Sequence, residues 1–274
     1  MRNDGSRPAI VLVGYGAIGE QLLSLLEERG AGDWVVAVVE REDRMQAARK
    51  RLPESVQVMP ELDRAVAQGI SLVVECAGHK ALAQHAARAL EAGVDVLVAS
   101  VGALADAGLE AALRAAATGG ASRILIPSGA LGGLDVLASA RHAGLDEVTY
   151  VSNKAPAAWH GTRAEQLVAL DDLREPTVFF TGNAREAALA FPQNANVAAA
   201  VALAGAGFER TAVKLTADPQ AKGNRHRIMA RGAFGMIDVT VEGRTLPNNP
   251  KTSMLAPMSL LRAILARREA LVLA

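Results

Sequence analysis

The chain has 274 residues, and its 29 Lys and Arg balance 29 Asp and Glu, so the formal net charge is zero. Half of the residues are hydrophobic, which predicts a globular protein with a buried core and excludes a disordered chain. A neutral chain lacks the basic surface of a nucleic-acid-binding or membrane-surface protein, and aromatic residues for base stacking make up only 3% of it. We therefore expect neither a nucleic acid nor a membrane as partner.

Cysteine usage and the first residues indicate the compartment. Cys76 is the only cysteine, so no internal disulfide forms, and no metal-binding spacing is present. The residues before Ile10 are polar and carry both charge signs, unlike a signal peptide. The longest uncharged apolar stretch, Val197–Phe208, is too short to span a bilayer. These features predict a cytoplasmic protein without a metal, in which Cys76 is a small buried hydrophobe rather than a nucleophile.

The first half alternates continuous apolar runs with helical patterns. The runs predict strands over Ala9–Val13, Trp34–Val39, Leu72–Val74, Val94–Ala99 and Ile124–Ile126, and the helical patterns cover Ile18–Arg29, Lys80–Glu91 and Asp106–Thr118. Fully apolar strands separated by helices are typical of a parallel sheet covered on both faces. The sequence therefore predicts a doubly wound, Rossmann-type α/β domain over residues 1–135.

The second half is richer in strands. Predicted strands are Glu147–Ser152, Thr177–Thr181, Thr211–Thr216, His226–Ala233 and Met236–Glu242, and predicted helices are Arg185–Ala190 and Asn196–Gly207. This composition predicts an α+β domain with an antiparallel sheet over 136–247. After a connector rich in proline and asparagine, the pattern over Ser253–Leu273 predicts a helix, within a segment 253–274 that packs back on the first domain. An open antiparallel sheet also favours a homodimer that covers it.

A glycine-rich loop joins the first strand to the first helix. Gly14-Tyr15-Gly16-Ala17-Ile18-Gly19 has the pattern G-x-G-x-x-G in the strand–turn–helix setting that makes it informative. Gly14 permits the tight turn, Gly16 lets the backbone approach a pyrophosphate, and Gly19 allows close packing of helix and sheet. Ala17 and Ile18 open the helix whose N-terminus faces the anion. The loop predicts a dinucleotide-binding site.

Glu40 ends the second apolar run, about 20 residues after the last glycine, where a carboxylate accepts hydrogen bonds from the ribose hydroxyls of NAD. Such a carboxylate repels the 2′-phosphate of NADP, whereas the neighbouring Arg41 and Arg44 could accommodate it. The sequence thus predicts NAD or NADP as cofactor and leaves the preference open.

Five histidines are candidates for a catalytic base. His226 lies between Arg225 and Arg227 at the start of a second-domain strand. Two flanking cations would lower the pKa of an imidazole and keep it neutral, and guanidinium groups suit a dicarboxylate substrate. The alternative interpretation is a polar strand on a solvated sheet face. His160 follows Trp159 in a polar loop and is open to either reading, whereas the remaining three histidines are interpreted as surface or packing residues: His79, His85 and His142.

Several segments resemble the L-aspartate dehydrogenase family over nearly the whole chain. Besides the glycine loop, the resemblance is carried by Ile126–Asp135, Phe191–Ala199, Ala217-Asp218-Pro219 leading to Asn224-Arg225-His226, and Asn248–Ser253. It implies NAD(P)-dependent oxidation of L-aspartate to iminoaspartate, which feeds NAD biosynthesis or hydrolyses to oxaloacetate and ammonia. By motif match, the family's catalytic histidine falls on His226 and its cofactor contacts fall on Ala130 and Asn196.

Within that resemblance, the substrate carboxylates are expected to bind cations among Lys214, Arg225 and Arg227. Two other functions stay open. The chain could be a related NAD(P)-dependent dehydrogenase of homoserine or of another amino or hydroxy acid, or a non-catalytic NAD-binding sensor. A sensor has no need of the histidine and arginines in the second domain.

Overall fold

The computed structural model describes residues 7–192, 194–247 and 249–273. The chain divides into two units of dense internal contacts. The first contains the described residues up to Ser100, together with Ala107–Pro127 and Pro257–Leu273, and the second contains Val101–Asp106 and Ser128–Ala256.

The first unit contains the predicted parallel sheet. Its strands are β1 (Ile10–Val13), β2 (Val35–Val39), β3 (Gln57–Met59), β4 (Leu72–Glu75), β5 (Asp95–Val98) and β6 (Ile124–Leu125), in the order β3-β2-β1-β4-β5-β6. All pairs are parallel, and every residue of β1, β4 and β5 is buried. The continuous apolar runs reflect this burial on both faces, and the Rossmann-type prediction is confirmed.

Helices of the first unit agree with their predicted ranges to within about a residue and include two short ones that the patterns missed. They are α1 (Ala17–Glu28), α2 (Glu42–Arg49), α3 (Asp63–Val66), α4 (His79–Glu91) and α5 (Ala107–Gly119). The short polar α2 has no apolar stripe, which is why hydrophobic periodicity did not predict it. In α1, Leu22, Leu23 and Leu26 are buried in one core with Ile10 and Leu12 of β1.

The second unit is built on a five-stranded sheet. Its strands are β7 (Leu145–Lys154), β8 (Thr177–Asn183), β9 (Thr211–Ala217), β10 (Asn224–Gly232) and β11 (Gly235–Gly243), in the order β11-β10-β7-β9-β8. The α+β class is confirmed, and three of the four strand pairs are antiparallel as predicted, but the sheet is mixed because β7 and β9 pair in parallel. The chain between them contains β8 and two helices, which is long enough for the crossover that a parallel pair requires.

Helices α6 (Leu134–Ala140), α7 (Ala184–Ala190) and α8 (Asn196–Ala204) also belong to the second unit. The predicted connector after residue 243 instead forms a small hairpin of β12 (Thr245–Leu246) and β13 (Asn249–Ser253). Asn248 and the side chains of Pro250 and Lys251, which carried part of the family resemblance, lie outside the described residues.

The last helix, α9 (Leu255–Leu265), is shorter than predicted at both ends. Ser253 belongs to β13, and its hydroxyl accepts a hydrogen bond from the Leu255 amide at the start of the helix. Leu260 and Leu261 of α9 join the core around β1. Beyond the helix, Arg267 pairs with Asp95 of β5 at 2.8 Å. No helix in the described ranges is both long and apolar enough to cross a membrane.

Candidate functional site

The glycine-rich loop connects Val13 to Ala17, and packing explains two of its three glycines. Gly14 has φ +94°, and a Cβ there would lie 2.5 Å from Cβ of Ala77. A Cβ at Gly19 would lie 2.6 Å from the carbonyl oxygen of Gly14. Neither position has room for a side chain, so the turn and the helix–sheet contact require glycine.

Gly16 differs, because packing does not require it. Its φ is −90°, and a Cβ would have no heavy atom within 4 Å. The open space adjoins the N-terminus of α1, where the amides of Ala17 and Ile18 belong to the first helical turn. Amides of that turn have no partner within the helix and bind anions. The loop therefore fits the pyrophosphate of a dinucleotide.

Glu40 directly follows β2, and its carboxylate is held in place by backbone amides. One oxygen accepts a hydrogen bond from the Tyr15 amide at 2.9 Å, and the other accepts one from Arg41 at 3.1 Å. The guanidinium of Arg41 forms a two-pronged ion pair with Asp43, with N–O distances of 3.0 and 2.5 Å. The Glu40 carboxylate is thus fixed at the end of β2, while a carboxylate already binds the neighbouring guanidinium.

The buried Glu75 joins the carboxyl ends of β4 and β5. Its carboxylate accepts hydrogen bonds of 2.8 Å from the Ala77 and Gly78 amides, and of 2.9 and 3.0 Å from the hydroxyl and amide of Ser100. Burial raises the pKa of this carboxyl, while the four donors favour its ionised form. Ligands of open parallel sheets bind at such carboxyl ends, so Glu75 holds the loops of that crevice together.

Cys76 lies beside the glycine loop, and its thiol faces backbone carbonyls. Sγ is 3.2 Å from the carbonyl oxygen of Gly14 and 3.5 Å from that of Val13. Burial, followed by the charges of Glu75 and Glu40, raises the pKa of the thiol. A thiol held protonated is a poor nucleophile, which agrees with the packing role expected for Cys76.

Ala130 and Asn196, the two cofactor contacts implied by the family resemblance, both lie in the second unit. Ala130 is buried in the turn that follows Ser128. That turn approaches β11, since a Cβ on Gly132 would lie 3.8 Å from the Val241 side chain. Asn196 begins α8 but does not cap it; its side-chain oxygen instead accepts a hydrogen bond of 2.9 Å from the Gly102 amide.

His226 lies in β10 and is only 2% exposed. Its Nδ1 is 2.7 Å from the hydroxyl oxygen of the fully buried Tyr150 in β7. Burial, with a smaller contribution from the positive charge of Lys154, lowers the pKa of His226 to about 3. The imidazole is therefore neutral near pH 7, as a base must be.

The predicted cause of that low pKa is wrong. Side chains alternate along a strand, so Arg225 and Arg227 are exposed on the face of the sheet opposite His226. Arg225 pairs with Glu242 at 2.6 Å, and Arg227 pairs with Asp238 at 2.5 Å. Neither arginine is placed to bind a substrate at the imidazole.

Lys214 lies on that opposite face as well. Val151 of β7 is its register partner, and Val151 is also opposite Arg227 in β10. Directly paired residues share a face of the sheet. All three cations predicted to bind substrate carboxylates are thus separated from His226 by the sheet itself.

Lys154, which the sequence patterns missed, is the cation on the face of His226. It ends β7, is 3% exposed, and its ammonium lies 5.2 Å from the ring centre of Trp159. Burial lowers its pKa to about 8. The predicted strand ended at Ser152, two residues too early. In the full strand every second residue shares a face, so Lys154 lies on the same buried face as Tyr150 and Ser152.

His160 lies in an exposed ion-pair cluster. Its two ring nitrogens contact Glu165 at 2.9 Å and Asp171 at 3.0 Å, and these contacts, Glu165 first, raise its pKa. The cluster links turns of the loop between β7 and β8. Within the described part of the chain, no group of three or more His, Cys, Asp and Glu side chains has the arrangement of a metal site.

Comparison with known proteins gives two family matches. A model of the homoserine dehydrogenase NAD-binding domain matches residues 14–127, and a model of the aspartate dehydrogenase C-terminal domain matches residues 135–267.

Individual proteins match over almost the full length. An L-aspartate dehydrogenase of Ralstonia pickettii is 47% identical, covering 95% of this chain and 98% of that protein. One from Pseudomonas aeruginosa is 44% identical, covering 93% and 96%. The crystal structure of aspartate dehydrogenase from Thermotoga maritima matches with a TM-score of 0.77 and 26% identity, covering 98% of this chain and all of that one.

Proposed function

Because this chain belongs to the aspartate dehydrogenase family, we propose that it is an NAD(P)-dependent oxidoreductase that converts L-aspartate to iminoaspartate. The observation that carries the chemistry is the pairing, on one buried sheet face, of a neutral imidazole at His226 with a cation at Lys154. A base and a carboxylate-binding cation are what oxidation of an anionic amino acid needs from the protein.

The dinucleotide is held, in this proposal, by the loop of Gly14, Gly16 and Gly19 and by Glu40. Gly16 supports this assignment most directly, because neither its φ nor packing within the chain requires glycine there, whereas close approach of a pyrophosphate does. Ala17 and Ile18 contribute the helix N-terminus. Ala130 and Asn196 are cofactor contacts by the family resemblance alone. When bound, the nicotinamide supplies the hydride acceptor for the substrate Cα–H.

His226 acts as the general base. For Nε2 to accept a proton, Nδ1 must carry one and donate it to the hydroxyl oxygen of Tyr150, which lies 2.7 Å away. The proton comes from the substrate amine or from an attacking water. A pKa of about 3 makes a weak base in the ligand-free protein, but substrate carboxylates beside the ring would raise it toward neutrality.

Lys154 binds a substrate carboxylate. It keeps most of its positive charge near pH 7 because its pKa is about 8. No carboxylate within the described ranges pairs with it, whereas Arg225 and Arg227 each have one. This assignment replaces the arginines on the opposite face.

The cellular role proposed is the supply of iminoaspartate for NAD biosynthesis, in the cytoplasm. We further propose a homodimer in which a second copy covers the sheet face that carries Lys214, Arg225 and Arg227, because these side chains are exposed in the single chain and dimers commonly cover such an open sheet face. Sedimentation at micromolar concentration tests this assembly, and a monomer would reject it.

The decisive test of function is a panel of L-aspartate, homoserine and other amino and hydroxy acids with NAD and with NADP, followed at the reduced-nicotinamide absorbance. L-Aspartate should give the highest kcat/KM, and His226→Ala should lower kcat by about 10²- to 10⁴-fold. Absence of signal with L-aspartate would reject the proposal. Turnover of homoserine in its place would favour the related dehydrogenase.

A further inference from the structure

Asn194 lies in the turn between α7 and α8, with its side chain only 4% exposed. Its backbone amide donates to the carbonyl oxygen of Phe191 at 2.9 Å, which closes the turn. Its side-chain oxygen accepts a hydrogen bond of 3.2 Å from the ammonium of Lys154. Asn194 therefore shares the buried environment of the cation proposed to bind substrate.

The orientation of the Asn194 amide follows from its partner. An ammonium group is only a donor, so the amide must present its oxygen to Lys154 and its NH₂ group in another direction. That nitrogen, Nδ2, is buried and has no hydrogen-bond partner among the described residues. Buried amide donors are rarely left unpaired in native proteins, and such an exception requires an explanation.

Two adjacent buried donors with no carboxylate paired to them among the described residues favour an anion. The ammonium of Lys154 and Nδ2 of Asn194 are joined through one side-chain oxygen, so both adjoin the same small region. A carboxylate has two acceptor oxygens and a negative charge, and it satisfies both donors at once. The neutral His226, electrostatically coupled to Lys154, adds no negative charge.

We propose that Asn194 is a substrate-binding residue, which donates through Nδ2 to a carboxylate of the bound dicarboxylic amino acid beside Lys154. This role rests on the proposed function, and it makes Asn194 a residue that selects substrates with a carboxylate at this position. A residue that only held Lys154 in place would need its oxygen and have no use for its NH₂ group.

Two variants separate these roles. Asn194→Ala removes both ends of the amide, whereas Asn194→Asp keeps an oxygen for Lys154 and replaces the NH₂ donor. Asn183→Ala serves as the control, because Asn183 caps the start of α7 and the change loosens that helix without touching Lys154. The affinity for succinate, a dicarboxylate without an amine, is measured by calorimetry on the enzyme saturated with dinucleotide.

We expect Asn194→Ala and Asn194→Asp to weaken succinate binding and to raise the KM for L-aspartate by about 10- to 100-fold, since a hydrogen bond to a charged group is lost. The dinucleotide Kd should stay within about twofold of wild type, as should every value for Asn183→Ala. Wild-type succinate affinity in Asn194→Asp would overturn the proposal in favour of a structural role.

A measurement on the wild-type protein covers the case in which a variant does not fold. The ¹⁵N and ¹H signals of the Asn194 side-chain NH₂ should shift when succinate is added, and unchanged signals at saturation would overturn the proposal. Failure of the wild-type enzyme to oxidise L-aspartate would instead contradict the proposed function, so the two failures are distinguishable.

Discussion

The hydroxyl oxygen of Tyr150 lies 2.7 Å from Nδ1 of His226, and both side chains are buried. The two residues come from neighbouring strands. His226 in β10 pairs with Ser152 in β7, and Tyr150, two positions before Ser152, lies on the same face of the sheet. Burial raises the pKa of Tyr150, so the phenol stays protonated while it bonds the imidazole. The hydrogen bond fixes the orientation of the His226 ring, and the hydroxyl oxygen of Tyr150 accepts the Nδ1 proton in the tautomer that the proposed base requires.

Replacing Tyr150 with Phe should lower kcat by about fivefold with little change in KM, because the loss of one neutral hydrogen bond costs about 1 kcal/mol in holding the base in its orientation. The ¹⁵N shifts of the His226 ring should report a changed tautomer ratio. Equal tautomer ratios and equal kcat in both proteins would show that Tyr150 only packs against the ring.

Replacing Lys154 with Met should abolish activity and stabilise the fold. Burial lowers the pKa of Lys154 from 10.5 to about 8, so the folded state carries a penalty for the charged form at neutral pH. Relief of that penalty is worth up to about 3 kcal/mol in the free energy of unfolding. Urea denaturation measures the gain, and Lys222→Met, at an exposed loop position of the same unit, is the matched control. A destabilised Lys154→Met protein would contradict the assignment of a buried, charged lysine.

Succinate binding should weaken as the pH rises through about 8. Lys154 is charged below its pKa and neutral above it, whereas both succinate carboxylates stay ionised across this range. Above pH 8 the Kd should increase by about tenfold per pH unit. Calorimetry between about pH 7 and 9.5, which spans the titration of Lys154, measures this increase in Kd. Lys154→Met should bind succinate weakly, with a Kd that does not change with pH. A wild-type profile as flat as that of the variant would remove Lys154 from the carboxylate site.

The two glycines at positions 14 and 16 should respond differently to alanine. Gly16→Ala should fold with wild-type stability, because its Cβ has open space, yet lose at least about tenfold in dinucleotide affinity. Gly14→Ala should lose stability, because its Cβ would clash with Ala77 at a φ of +94°. Fluorescence titration with reduced dinucleotide, together with thermal unfolding, separates the two effects. Undiminished affinity in Gly16→Ala would place the pyrophosphate elsewhere.

Asp43 should influence the choice between NAD and NADP. Asp43→Asn frees the guanidinium of Arg41 from its ion pair, so kcat/KM with NADP should rise by about three- to tenfold while the value with NAD changes by less than about twofold. Glu42→Gln removes a charge from the same helical turn without breaking the pair, and it should produce a smaller gain. An equal gain in kcat/KM with NADP in both variants would show that the loss of a negative charge, and not the release of Arg41, causes the effect.

The sequence by itself determined the local features of this protein. Continuous apolar runs predicted a parallel sheet, because a strand buried on both faces is mostly apolar along its whole length. The glycine loop was predicted for a similar reason, since Gly14 must adopt a positive φ that other residues avoid. The flanking charges and the motif resemblance both predicted His226, although the flanking charges provided the wrong physical reason.

Only the tertiary structure decided which side chains meet. Alternation along the strand already separates Arg225 and Arg227 from His226, and the sequence prediction overlooked it. Only the structure shows that the face of His226 is the buried one. The contact between Lys154 and Asn194 joins residues 40 positions apart, and it exists only because β7 ends beside the turn between α7 and α8. Burial, which lowers the pKa of both Lys154 and His226, comes from that packing of distant segments and has no local signature in the chain.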